Sequence, residues 1–142
     1  MKKTAIAMLF VASAPAVAAD VDLIKKLDPA WKSMESRVTR LVGKSGQRTL
    51  LDMAFAQVAV DACPGLAINA KAYDEALTRL SSGKTKDAGE HRRFEQVLMT
   101  DFGVYTGLVV AESFLDKPGF CQSVENIKNN KGGPTLFWVT KK

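Results

Sequence analysis

The chain has 142 residues, of which 20 are basic, 15 acidic and one histidine, for a formal net charge of +5 at neutral pH. That length supports one ordinary hydrophobic core and is short for two. The positive charge is mild and interspersed, with no compact Lys/Arg block, which excludes the footprint of a nucleic-acid-binding protein.

At the N-terminus, Lys2 and Lys3 precede the short apolar run TAIAMLFVASAPAV, and the small residues of AVAAD offer cleavage after Ala18 or Ala19. This pattern predicts a secretory signal peptide over residues 1–19 and a single exported helical domain over 20–142. The apolar run is shorter than the roughly 20 residues a spanning helix needs, and no later segment reaches that length without a charge. A periplasmic or secreted protein without an integral membrane anchor is therefore expected, and the Lys-Lys start favours a bacterial periplasm. Losing Lys2 and Lys3 takes the basic count from 20 to 18 against 15 acidic residues, a net charge of +3.

Asp28-Pro29 reads as a helix opening, Asp as N-cap and Pro at the first helical position. Trp31, Met34, Val38 and Leu41 follow as one apolar stripe ending near Gly43. Ser45 is positioned to cap a second helix whose stretch Leu50–Ala62 is apolar over most of its circumference, which predicts the central, most buried element. Pro64-Gly65 ends it. Asn69 then caps a short third helix, with Ile68 and Tyr73 placed as a hydrophobic staple. After the polar loop SSGKTK, Asp87 with Glu90 resembles a capping box opening the longest helix, to about Leu115. Pro118-Gly119 reads as its close, Cys121 to Asn130 as a last helix, KGGP as a break and TLFWVTKK as an extended tail. The predicted fold is all-α: an irregular bundle of four to five helices, one disulfide and a short extended C-terminal tail.

Cys63 and Cys121 are the only cysteines, and each flanks a Pro-Gly break. Export to an oxidising compartment predicts that they form a disulfide. There is no C-x-x-C pair, no nucleophile elbow and no two-histidine zinc signature. The lone His91 lies among Asp87, Glu90 and Glu95, but Arg92 and Arg93 crowd it with positive charge, so no metal and no cofactor is expected there.

Asp101 falls within the stripe Phe94, Val97, Leu98, Tyr105 and Leu108, which predicts a buried acid paired with a donor from a neighbouring helix. Gly103, Gly107 and Ala111 leave a groove of small residues on the same helix, predicting close approach of another helix. Phe137 and Trp138 are large aromatics near the chain end, either docked on the bundle or exposed as a partner contact.

The functional expectation is a non-catalytic periplasmic protein acting through protein-protein contacts, of the inhibitor, immunity or envelope-complex accessory type. In size, export and a single disulfide the chain resembles small bacterial periplasmic helical proteins of that kind. The alternative is a small ligand-binding or hydrolytic domain organised around a buried Asp101 and the Gly103/Gly107 groove.

Overall fold

A computed structural model describes the backbone of residues 18–141 and the side chains from Lys26 to Lys141. The expected signal peptide lies almost wholly outside the described residues. In chain order the elements are α1 (Ala18–Ala62), β1 (Leu66–Ile68), α2 (Ala70–Ser81), α3 (Ala88–Leu115), α4 (Lys117–Ile127), a 3-10 turn (Gly133–Phe137) and β2 (Trp138–Thr140). The architecture is the expected helical bundle with its Cys63–Cys121 disulfide, whose Cα atoms are 5.5 Å apart.

α1 is sharply kinked at Gly43, where φ is 79° and ψ 170°, a conformation open to glycine and strained for other residues. The two arms fold back on one another. Trp31 and Phe55 line a common cleft, whereas a straight helix would hold residues so spaced about 36 Å apart. The expected helix opening at Asp28-Pro29 is corrected: α1 already begins at Ala18 and passes through Pro29. Leu27, Ala30 and Trp31 all pack against the core, and this burial carries the helix across the hydrogen bond that proline removes. Helix also resumes directly after Gly43, so Ser45 lies within α1, where its carbonyl accepts from the Thr49 hydroxyl.

The second arm of α1 is the centre of the molecule, as its composition predicts. Leu50, Met53, Ala54, Ala56 and Ala59 have no exposed surface. Asn69 caps α2 by accepting from the Ala72 N–H, and Tyr73, inside the first turn, donates its hydroxyl to the Met53 carbonyl. The same ring packs edge-on against Phe102 and Phe137, joining α2 to α3 and the tail. Asp87 caps α3 by accepting from Gly89 and Glu90 N–H groups, while the Glu90 carboxylate accepts from the Lys86 N–H, one residue earlier than in a capping box.

One further expectation is corrected near the C-terminus. Pro118-Gly119 does not close a helix but opens one: Asp116 accepts from the Gly119 N–H as N-cap of α4, with Pro118 in the first turn, where its missing N–H costs nothing. The short C-terminal tail is extended over its last residues, as expected. It makes a 3-10 turn and then adds β2 antiparallel to β1, pairing Leu66 with Thr140 and Ile68 with Trp138. Phe137 and Trp138 are thereby core residues, 3% and 4% exposed, rather than an outward partner contact, and Trp138 and Phe120 both pack near Phe55.

Candidate functional site

Asp101 occupies the inner face of α3 with no exposed surface. Its Oδ1 lies 3.0 Å from Nε of Arg37, on the first arm of α1, and Arg37 is itself half-exposed. Neither carboxylate oxygen accepts a well-directed hydrogen bond, so charge alone compensates the burial. One turn on, Tyr105 is fully buried, accepts a hydrogen bond from Gln47 and stacks on Trp31. Burial is the main cause that holds the Tyr105 phenol above its ordinary range. A ligand site organised around Asp101 would need an open carboxylate, and this one is closed over by α1.

Among the described residues, no helix approaches Gly103 or Gly107. Both are exposed, and a Cβ built on either meets nothing within 4 Å. The helical period explains the difference: with Leu98, Asp101, Tyr105 and Leu108 inward, Gly103 and Gly107 fall on the opposite side. That outward side is apolar. Phe114 is 80% exposed, and Met99 and Val104 are close to half-exposed. From Gln96 to Ala111 the only charged residue is Asp101, which points inward. By length and composition alone, α3 is apolar enough to cross a membrane. Beside Phe114 lies a shallow groove of about 190 Å³ formed with the second arm of α1 by Val58, Ala62, Thr106 and Val110, and rimmed by Asp61 and Lys117.

A larger cleft of about 450 Å³ opens between the two arms of α1, the end of α3, the end of α4 and the loop Asn130–Thr135. Trp31, Leu51, Phe55 and Ile127 give it apolar and aromatic walls, while Asp52 and Glu112 supply two carboxylates and Arg48 a cation. Glu112 accepts the Trp31 indole N–H at 2.6 Å, which fixes both groups. Asp52 is buried, with Oδ1 3.1 Å from Arg48 Nε. Burial raises the Asp52 carboxyl above the usual range, opposed by the Arg48 charge and hydrogen bond. Gly132 and Gly133, both at positive φ, bring the loop backbone in so close that a Cβ on Gly133 would lie 3.9 Å from Asp52 Oδ2. Sequence reading missed this site because its members are far apart along the chain and form no motif. The available signals were single acids, Asp52 and Glu112, in otherwise apolar helical stretches.

His91 is partly exposed at the start of α3, its Nε2 3.1 Å from Glu95 and its Nδ1 3.3 Å from the Thr85 hydroxyl. Among the described residues no three His, Cys, Asp or Glu side chains gather as a metal site. No protein-family model, curated protein or solved structure matches the chain.

Proposed function

We propose that this is an exported, non-catalytic protein that acts by binding another protein through the outward face of α3. The observation that carries the reading is the pair Gly103 and Gly107, exposed in mid-helix with open space in front of them. Each costs about 1 kcal/mol of helix propensity relative to alanine, and no contact among the described residues offsets it. Small residues one turn apart allow the closest approach of a second helix, whose axis can then lie about 8 Å away. Phe114 and the groove at Val58 and Val110 supply an exposed aromatic with an adjoining hollow, the kind of feature on which interface energy concentrates. The disulfide agrees with an oxidising compartment outside the cytoplasm. Protein rather than lipid is the favoured occupant, because a glycine cleft fits a helix ridge and has no special use against fluid chains.

Position-specific photocrosslinking tests this. A photoreactive amino acid at position 114 should give a discrete protein adduct in the native host envelope, one absent when the probe sits at exposed Glu75 on α2. Gly107→Leu should abolish the adduct with the circular dichroism spectrum unchanged, whereas His91→Ala should leave it. Adducts of lipid alone, or the same adduct pattern from both positions, would overturn the proposal.

A further inference from the structure

We propose that the cleft between the arms of α1 and the Asn130–Thr135 loop is a binding site for an organic cation, an ammonium or guanidinium group carried on an apolar stem. Its volume of about 450 Å³ falls within the roughly 300–1,000 Å³ of ligand clefts. The chemistry of the lining selects the ligand. Asp52 and Glu112 outnumber Arg48, so a protein of net positive charge presents here a local negative balance. The Arg48 side chain is 69% exposed and belongs to the rim, while Asp52 is buried below it. An anion would meet two carboxylates, one of them deep. A hard metal ion needs six or more oxygen ligands, and most of this wall is hydrocarbon.

The parts are arranged for a cation with a stem. Asp52 gives Oδ1 to Arg48 and turns Oδ2 toward the Gly133 backbone side of the cleft. The Trp31 indole, held by Glu112 on its N–H edge and by Tyr105 stacked at 5.9 Å, is a fixed aromatic surface of the type that attracts ammonium groups. Leu51, Phe55 and Ile127 line the remainder and accommodate methylene groups. The site is separate from the outward face of α3 and independent of what binds there.

The test is titration of the whole exported protein with n-butylammonium chloride, followed by NMR at the Trp31 indole N–H, with n-butanol as neutral isostere and ammonium chloride as salt control. Saturable binding of the amine in the millimolar range or tighter is expected, with n-butanol at least about tenfold weaker, a difference of about 1.4 kcal/mol. Asp52→Asn with Glu112→Gln should weaken the amine by tenfold or more. Arg48→Ala uncovers the buried Asp52 carboxylate and costs stability, so it is assayed under conditions where circular dichroism shows the fold retained, and there it should tighten amine binding by removing the competing cation. Equal binding of butanol and butylamine, a response reproduced by ammonium chloride, no saturation, or an Arg48→Ala variant that binds the amine more weakly would each overturn the proposal.

Discussion

Removing either partner of the Arg37–Asp101 pair should have very unequal consequences. Asp101 has no exposed surface, whereas Arg37 keeps 51% of its side chain in water. Asp101→Asn preserves volume, removes the buried charge and leaves a guanidinium that simply rehydrates, so a cost below about 1 kcal/mol is expected, as for exposed pairs. Arg37→Ala leaves a carboxylate buried without compensation, a loss of about 3–5 kcal/mol where the charge cannot escape. Adding Asp101→Asn to Arg37→Ala should recover most of the stability. Urea unfolding monitored by circular dichroism measures all three variants. Equal losses for the two single variants would refute the reasoning, as would a double variant no better than Arg37→Ala.

Other perturbations follow from the same geometry. Replacing Cys63 and Cys121 by alanine opens a loop with a sequence separation of 58 and should lower stability by about 4 kcal/mol on chain-entropy grounds; an unchanged urea midpoint would contradict this. Gly43→Ala, at φ 79° with room for a Cβ, should cost about 1–3 kcal/mol from backbone strain alone, measured in the same unfolding assay. At Asp52 the carboxyl is raised in the folded state by burial, so the folded protein binds its proton more tightly than the unfolded chain. Stability from this group is therefore present at low pH and lost as pH rises from the ordinary carboxylate range through the raised one. Asp52→Asn should flatten that part of the stability profile, and an identical slope in wild type and variant would count against it.

What was legible in the sequence was local. Asn69 and Asp87 announce α2 and α3 because a cap is written within four residues of the turn it satisfies. The burial of Leu50–Ala62 is equally readable, since an all-round apolar helix has nowhere else to go. Signals with two senses failed. Pro118-Gly119 ends a helix or, behind the cap Asp116, begins one, and the second sense is the one used. Asp28-Pro29 carries a start signal that packing of Leu27 and Trp31 overrides. β1 and β2 are three residues each, below the length at which alternation is visible, and their pairing joins Leu66 to Thr140 across most of the domain. The cleft was illegible for the same reason, because Trp31, Asp52, Glu112 and Gly133 meet only after α1 has folded back at Gly43.

The expected helix against Gly103 and Gly107 is absent among the described residues, and that open space yields a decisive experiment. A helix glycine packed against another helix becomes destabilising when replaced, because the new methyl group collides with its neighbour. At Gly103 and Gly107 a methyl group meets nothing among the described residues, so Gly103→Ala with Gly107→Ala should stabilise the isolated protein by up to about 2 kcal/mol, the summed propensity difference. The same two methyl groups would hold an approaching helix off the α3 backbone and weaken partner capture at position 114. Stability and binding should therefore move in opposite directions in one variant, a pattern that neither a core-packing role nor a featureless surface produces. A double variant that is both destabilised and binding-deficient would return the glycines to an internal role. One that is stabilised and binds as well as wild type would remove the α3 face from the interface.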